Sequence, residues 1–173
     1  MWDFFETVRH RHSVRKYQLD MPVEPEKLHA ILEMACAAPS AGDLQAYRII
    51  VVSDPVERQA LAHAAHDQTF IAEAPICLAF CADPARSATT FGERGAKLYA
   101  LQDTTIAAAY AQLAIVAAGM GSTWVGYFEE AQVCQILELE SGLMPLALLC
   151  LGYPAELPEP SSRRRLDTMV VWR

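Results

Sequence analysis

Apolar and polar residues follow one another along the chain in patterns that predict helices and strands in mixed order. Helical spacing of the apolar positions predicts helices at residues 4–9, 24–37, 55–65, 97–118 and 129–139. Short runs of β-branched and other apolar residues predict strands at residues 48–53, 76–81, 122–126, 146–151 and 169–172. The strands are few for a doubly wound sheet. We therefore expect one α+β domain over residues 1–173, with a central mixed or antiparallel sheet flanked by helices.

The end of the chain has an unusual layout. Residues 154–167 are rich in proline and polar side chains and predict an irregular arm, and the apolar run at residues 169–172 follows it. The N–H and C=O groups of a strand need a partner ladder. A lone strand after an extended arm therefore predicts a tail that completes the sheet of a second copy, in a homodimer.

Charge is distributed unevenly along this acidic chain. Its 14 basic and 21 acidic residues give a formal net charge of −7, which argues against a nucleic-acid partner. Two short terminal stretches hold most of the basic residues, namely Arg9, Arg11, Arg15, Lys16, Arg163, Arg164, Arg165 and Arg173. If the two ends meet in the fold, they form a local anion site. The alternative is two unrelated, solvated basic stretches.

Neither terminus nor the uncharged centre of the chain predicts a membrane protein. Residues 1–6 lack the layout of a signal peptide, so we expect a cytoplasmic protein. Residues 104–128 carry no charge, but alanine dominates the run and Gly119 and Gly121 interrupt it, which favours a buried helix. The five cysteines form no CxxC pair and indicate reduced core residues, and the spacing of His63 and His66 alone is weak support for a metal.

The first candidate site is the stretch at residues 11–15. In an extended segment Arg11, Ser13 and Arg15 project to one side. Guanidinium and hydroxyl donors that converge in this way suit a phosphate group. In the late arginine run, the same alternation puts Arg163 and Arg165 on one side and Arg164 on the other. A basic, solvated turn is the alternative for residues 11–15.

Two loops with small residues are the other candidates. Residues 38–45 join a helix to a strand, and their small side chains allow a flat ring to approach, although the same residues also form ordinary turns. Residues 119–126 do not match the dinucleotide fingerprint, since no strand precedes them. There Gly126 can let a backbone amide reach a ligand. Trp124 is interpreted as a core residue.

No catalytic set of side chains stands out. The chain has no GxSxG, P-loop or HExxH motif, and its histidines are scattered. This absence is typical of an enzyme whose reactive atom belongs to a cofactor.

Taken in order, these segments resemble the nitroreductase family of FMN-dependent oxidoreductases over nearly the whole chain. The resemblance is carried by residues 11–15, 39–45, 68–75 and 121–126 and by the arginine pair Arg163 and Arg165. It implies the α+β flavin reductase fold and a homodimer with two FMN sites at its interface. It also implies NADH or NADPH as donor, a ping-pong cycle of hydride transfer through flavin N5, and a nitroaromatic or quinone acceptor.

The resemblance also implies roles for particular residues. The FMN phosphate and ribityl chain would be held by Arg11, His12, Ser13, Arg15, Arg163 and Arg165. The flavin would be lined by Pro39, Ser40, Ala41, Asp43 and Gln45 from the other subunit, by Gln68, and by backbone groups of Val125 and Gly126. Asp43 stands where the family usually has Asn, and Ala46 where it usually has Pro. A carboxylate does not donate as an amide does, so the contact at Asp43 is left open.

The sequence alone also permits functions other than that of an FMN-dependent oxidoreductase. One is a flavin carrier or sensor without significant turnover. Another is a specialised chemistry, such as reductive dehalogenation or flavin fragmentation, or the use of a deazaflavin. Residues 81–97 leave little room for a large lid, which predicts an open and unselective pocket.

Overall fold

The computed structural model describes residues 3–173 and contains seven α-helices in that range. The prediction that residues 1–6 are not a signal peptide therefore rests partly on Met1 and Trp2, which lie outside the described residues. The helices are α1 (Phe4–His10), α2 (Pro25–Cys36), α3 (Pro55–Ala64), α4 (Phe70–Glu73), α5 (Pro84–Arg94), α6 (Ala100–Ala117) and α7 (Glu130–Ile136). A π-helical turn at Gly95–Tyr99 joins α5 to α6.

One antiparallel sheet forms the centre of the molecule. Its strands are β1 (Tyr47–Val52), β2 (Ile76–Ala82), β3 (Gly121–Val125) and β4 (Met144–Gly152), in the order β1-β2-β4-β3. Each neighbouring pair is antiparallel, which confirms the expected α+β class and selects the antiparallel form of the predicted sheet. Every residue of β2 is buried, as expected for a strand with neighbours on both edges and helices on both faces.

The alternating side chains of the sheet feed two cores. Cys77, Ala79 and Cys81 of β2 pack on one face with residues of α3, α4 and α7, among them Leu61, Ile71 and Val133. Leu78 and Phe80 pack on the other face against α2 and α6, with Ile31 and Ile115. Side chains that alternate along β2 therefore pack against helices on both faces of the sheet.

Helix α5 is absent from the sequence-based prediction. Its start has clear signals: Asp83 accepts a hydrogen bond from the Arg86 amide at 3.0 Å, and Pro84 occupies the first turn. Among its side chains, only that of Ser87 is buried, and Phe91 is its one large apolar residue, so few apolar positions reveal the helix.

The basic segment near the N-terminus extends the sheet beyond β3. Ser13 forms a parallel bridge with Ser122, and the Val14 amide donates to the Ser122 carbonyl at 3.0 Å. Gly121 lies directly beneath, where a Cβ atom would come within 2.5 Å of Val14 Cγ2. The segment therefore approaches β3 at a distance that only glycine permits.

The C-terminal arm begins against the basic segment, where the Ala155 amide donates to the Lys16 carbonyl and the Arg15 amide donates to Glu156 Oε1, both at 2.9 Å. It is irregular, as predicted, apart from one 3₁₀ turn at Leu166–Thr168. The apolar run at residues 169–172 forms no strand in the single chain, where no ladder partner lies beside it. Val171 and Trp172 are 80% and 88% exposed. Exchange of this tail with a second copy stays a prediction.

Within residues 3–173, no helix combines the length and apolar character needed to cross a membrane. The same described part of the chain holds no cluster of three or more His, Cys, Asp or Glu side chains suited to a metal ion.

Candidate active site

The segment that carries Arg11, Ser13 and Arg15 runs beside β3, and its residues differ in burial. Val14 is 5% exposed and faces the core, whereas Arg15 is exposed and Arg11 and Ser13 are half-buried. His12 is also half-buried and helps to line a cavity of about 250 Å³ together with Val14, Met120 and Glu156 of the described chain. The three predicted phosphate ligands do not line that cavity.

A buried tyrosine fastens this segment to the sheet. The Tyr17 hydroxyl donates to the Val14 carbonyl at 2.7 Å and lies 3.2 Å from the Cys150 carbonyl of β4. The Thr123 hydroxyl also donates to the Val14 carbonyl. Burial raises the pKa of the Tyr17 phenol well above its usual range, so the hydroxyl keeps its proton and remains a donor. The arginines next to it therefore project from a rigid backbone.

Arg15 brings the segment next to the start of α4. Its guanidinium carbon lies 5.8 Å from the centre of the Phe70 ring, a cation–π distance. Gln68 stands two residues before Phe70, and its side-chain amide donates to the Ala65 carbonyl at 2.9 Å and the Tyr127 carbonyl at 3.3 Å. These donations orient the Gln68 side chain and leave its Oε1 as an acceptor.

The end of β3 lies beside the same turn. Val125 is buried and pairs with Leu148, and Gly126 is the first exposed residue after the strand. Trp124 packs against the core on the α2 and α6 face, which confirms its interpretation as a core residue. The structure thus brings Arg15, Gln68 and the Val125–Gly126 backbone to one region of the protomer.

The loop at residues 39–45 is more constrained than an ordinary turn. Gly42, Asp43 and Gln45 all adopt left-handed backbone angles, with φ of 58°, 54° and 49°. The Ser40 hydroxyl accepts from the Gln45 amide at 3.0 Å, and the Gln45 side chain donates to Asp43 Oδ1 at 3.1 Å. A strained backbone of this kind persists only where the surrounding structure imposes it. Such strain is found most often at ligand sites.

Helices α5 and α6 hold this loop in place. The Ala41 amide donates to Asp103 Oδ1 of α6 at 2.9 Å, and Arg86 of α5 donates to the Leu44 carbonyl. A Cβ atom on Gly42 would lie 3.0 Å from the Phe91 ring. The loop contacts therefore run to α5 and α6 of its own chain, and not to the basic segment.

The late arginines make local contacts in the described chain. Arg165 pairs with Asp167 at 2.7 Å, and Arg164 donates to the Thr168 carbonyl at 3.2 Å. Arg163 donates to Ser161. The meeting of the two basic ends stays a prediction, as do the individual roles of the site residues.

Sequence reasoning missed several residues that build this region. Tyr17, Thr123, Phe91 and Asp103 act through contacts with segments far away in the chain. Asp103 carried one usable signal, because it is the last charged residue before the uncharged run at residues 104–128. A carboxylate at the edge of such a run needs a donor when it is buried.

Comparison with known proteins agrees with this geometry. A sequence model of the Nitroreductase family matches residues 8–75 and 65–153. The chain belongs to the nitroreductase family. The match covers the basic segment, the strained loop, Gln68 and the end of β3, and it stops before the late arginines.

Several known proteins are similar to this nitroreductase-family chain over most of its length. A Thermus thermophilus protein named NADH dehydrogenase is 36% identical over 94% of this chain and 92% of its own length. A Vibrio harveyi NADPH-flavin oxidoreductase is 32% identical over 95% of this chain and 71% of its own. An oxygen-insensitive NADPH nitroreductase of Salmonella typhimurium is 30% identical over 92% of this chain and 69% of its own.

Solved structures show the same architecture. The NADPH:FMN oxidoreductase of Vibrio harveyi, complexed with NAD+, superposes with a TM-score of 0.89 at 30% identity. That superposition covers 98% of this chain and 76% of the Vibrio chain. A nitroreductase-family protein of Streptococcus pneumoniae superposes with a TM-score of 0.88 at 25% identity, over 99% of this chain and 100% of its own.

The donor set of this chain suits the phosphate end of FMN. Arg11 and Arg15 provide cationic forks and Ser13 provides a hydroxyl, all on one short extended segment that Tyr17 holds firmly. Guanidinium groups match the oxygens of a doubly charged phosphate in geometry and charge. Arg15 lies over the ring of Phe70, two residues after Gln68, and Gln68 in turn donates to the Tyr127 carbonyl beyond the end of β3. The residues present therefore fit this cofactor.

Proposed function

We propose that the chain is an FMN-dependent oxidoreductase that takes reducing equivalents from NADH or NADPH and passes them to a nitroaromatic, quinone or similar electron-poor acceptor. The donor and the acceptor occupy the same pocket in turn, in a ping-pong cycle. The observation that carries the proposal is the convergence of Arg15, Gln68 and the Val125–Gly126 backbone in a nitroreductase-family chain. FMN would supply, when bound, the hydride chemistry at its N5 atom that links the nicotinamide donor to the acceptor.

In this proposal the chain supplies position and charge. Arg11, Ser13 and Arg15, with the backbone at His12, hold the phosphate, and Arg163 and Arg165 add two further cations. Gln68 presents its Oε1 acceptor to the ribityl chain or ring, because its amide hydrogens already bind Ala65 and Tyr127. The amide of Gly126 is a donor near the ring, where negative charge develops on reduction.

A homodimer is part of the same proposal. The sheet order leaves one side of β1 without a neighbouring strand in the protomer. Beside it runs a groove of about 420 Å³ lined by Leu32, Gln45, Tyr47, Arg48, Ile49 and Arg86, among others. The exposed apolar tail with Val171 and Trp172 has the composition of a strand that such an edge accepts. Exchange of the tails between two copies would give each arm a ladder partner.

A second surface supports the dimer. Phe4, Met34, Tyr110 and Leu113 line an apolar groove of about 470 Å³ between α1, α2 and α6. Phe4 is 66% exposed and Met34 is 49% exposed. Large exposed apolar patches of this kind are typical of protein interfaces. In the proposed dimer, the strained loop at residues 39–45 of one subunit lines the flavin held by the other.

We also propose a cytoplasmic, reducing location. All five cysteines are free thiols, and Cys77, Cys81 and Cys150 are buried in the sheet. Buried thiols without disulfides are typical of proteins from reducing compartments.

The absorption spectrum of the purified protein tests the cofactor, and anaerobic addition of NADH or NADPH tests the reaction. We expect a bound chromophore that is released as FMN, bleaches with a nicotinamide donor and recovers when a quinone is added. A colourless protein that ignores added FMN would contradict the proposal. Bound flavin that neither nicotinamide reduces would instead support the carrier or sensor.

A further inference from the structure

A stacked aromatic pair stands at the edge of the candidate site. The rings of His66 and Tyr127 lie 3.9 Å apart between centroids, with an angle of 23° between their planes. Tyr127 directly follows Gly126 in the chain and is 72% exposed. His66 therefore covers one face of the phenol ring, while most of the ring surface remains open to solvent.

The turn that carries His66 is strained. His66 and Asp67 have φ of 57° and 59°, and neither residue is a glycine. Each such residue costs on the order of 1–3 kcal/mol, so the conformation persists only where other contacts impose it. Asp67 binds the His63 ring at 2.6 Å, a contact that fixes the turn from within α3.

Three contacts tie this turn to the segment that follows β3. Gln68 donates to the Tyr127 carbonyl at 3.3 Å, and the Glu129 amide donates to the Ala64 carbonyl at 2.8 Å. The Glu129 carboxylate also lies 3.7 Å from His66 Nε2. The main chain is thus held at the Tyr127 carbonyl and again two residues later at Glu129, which helps to position the exposed Tyr127 side chain.

We propose that Tyr127, supported by His66, is a specificity-determining residue that stacks against the flat ring of an aromatic electron acceptor. This inference rests on the proposed function and deepens it, because it assigns the acceptor preference to one side chain. The phenol ring is electron-rich, whereas nitroaromatics and quinones are electron-poor. Offset stacking of two such rings is favourable, and the fixed main chain lowers the entropy lost on binding.

Binding of a nitroaromatic probe to the oxidised, FMN-loaded protein tests this role without turnover. The probe is p-nitrobenzamide, and the readout is the shift in the flavin absorption band on titration. Replacement of Tyr127 by Ala or Leu should raise the Kd of the probe by about threefold to tenfold, the effect of one lost aromatic pair. Tyr127→Phe keeps the ring and should bind the probe like the wild type. His66→Ala should fall between them.

A non-planar acceptor supplies the matched control. Ferricyanide takes electrons from reduced flavin without stacking, so its reduction rate should be equal in wild type, Tyr127→Ala and Tyr127→Leu. The Kd for FMN should also stay unchanged, and the melting temperature should fall only slightly, because the exposed side chain loses only its stack with His66. A selective rise of KM for a quinone, with the ferricyanide rate preserved, would support the same role.

The outcomes separate the two proposals. If Tyr127→Leu binds FMN, is reduced by NADH and binds p-nitrobenzamide like the wild type, the role of Tyr127 is wrong and the proposed function stands. If the wild type binds no FMN or no nicotinamide reduces it, the proposed function fails and the role of Tyr127 fails with it.

Discussion

The Asp103 carboxylate accepts a hydrogen bond from the Ala41 amide at 2.9 Å, although 62 residues separate the two in the chain. Asp103 is 2% exposed and lies in the first turns of α6, and its second oxygen has no hydrogen-bond partner in the described part of the chain. One buried carboxylate therefore anchors the strained loop to the longest helix of the protein. Loop geometry and helix position are coupled through this contact.

Replacement of Asp103 by Ala should destabilise the protein by about 1–3 kcal/mol, because it leaves the Ala41 amide without its acceptor. Asp103→Asn keeps an oxygen at that position and should cost less. Urea unfolding measures both values. Equal stability of wild type and Asp103→Ala would mean that the loop does not depend on this hydrogen bond.

Gly121 gives a prediction for the basic segment. A Cβ atom there would lie 2.5 Å from Val14 Cγ2, so Gly121→Ala should push the segment away from β3 and cost about 1–3 kcal/mol. The displacement should also weaken FMN binding, because Arg11, Ser13 and Arg15 move with the backbone. Unfolding curves and FMN titration measure the two effects.

Removal of the clashing side chain is the control for Gly121. The double variant Gly121→Ala with Val14→Gly should bind FMN as tightly as Val14→Gly alone. Glycine removes Val14 Cβ as well, which would otherwise lie 2.9 Å from the added methyl group. If the double variant binds as weakly as Gly121→Ala, the close approach of Val14 is not the cause.

Local sequence patterns predicted most helices and strands of the fold. Contacts between residues that are far apart in the chain could not be predicted from these patterns. Strand β1 was predicted at residues 48–53 and spans Tyr47–Val52, because β-branched residues mark a strand wherever it pairs. A shared side for Arg11, Ser13 and Arg15, which stays a prediction, was likewise inferred from alternation along an extended segment. The Asp103–Ala41 contact was not, since spacing along the chain carries no information about a partner 62 residues away.

Two helices, α4 and α5, were missed from the sequence. Helix α4 spans only Phe70–Glu73, which is too short to show a helical period. Helix α5 was missed because it has few apolar residues, although Asp83 and Pro84 mark its start. The tail at residues 169–172 has the composition of a strand but forms none in the single chain. Strand formation depends on a neighbour, and composition shows only the preference.

A polar triad at the end of β4 gives a pH-dependent prediction. The Tyr153 hydroxyl lies 2.8 Å and 2.7 Å from the two Glu24 oxygens, and Lys27 Nζ lies 3.0 Å from the carboxylate. The hydrogen bond from Tyr153, aided by Lys27, lowers the pKa of Glu24 from 4.5 to about 2. A carboxyl whose pKa is lower in the folded state than in the unfolded state stabilises the protein at pH values above the unfolded pKa. This stabilisation is lost as the pH falls through the folded pKa.

Stability should therefore decrease between pH 4.5 and about 2 in part through Glu24. Tyr153→Phe removes the main cause, so the pKa of Glu24 should rise toward its usual value and the pH dependence should become shallower. Unfolding curves across this range measure the difference. Glu24→Gln serves as the reference without the titrating group, and wild-type behaviour of Tyr153→Phe would contradict the account.

The phosphate grip gives the next prediction. Arg11→Ala combined with Arg165→Ala should weaken FMN affinity by several kcal/mol, since each charge-assisted hydrogen bond contributes about 1.5–3 kcal/mol. Folding should be preserved in excess flavin, because both side chains lie outside the core. Arg164→Ala is the matched control, because an extended arm is predicted to put Arg164 on the side opposite to Arg163 and Arg165. Unchanged affinity of the double variant would place the phosphate elsewhere.

Shared construction of the site by two subunits can be tested by complementation. Arg11→Ala damages the phosphate segment, and Ala41→Trp blocks the flavin-lining loop. If the two segments of one site come from different subunits, a hybrid dimer of these two variants holds one site with both lesions and one site with none. Co-expressed chains with different affinity tags, purified through both tags, should then bind FMN at about half of the wild-type occupancy, as the proposed interface geometry requires. If both segments of a site belong to the same chain, every site in the hybrid carries one lesion, and the hybrid should bind as little FMN as either variant alone.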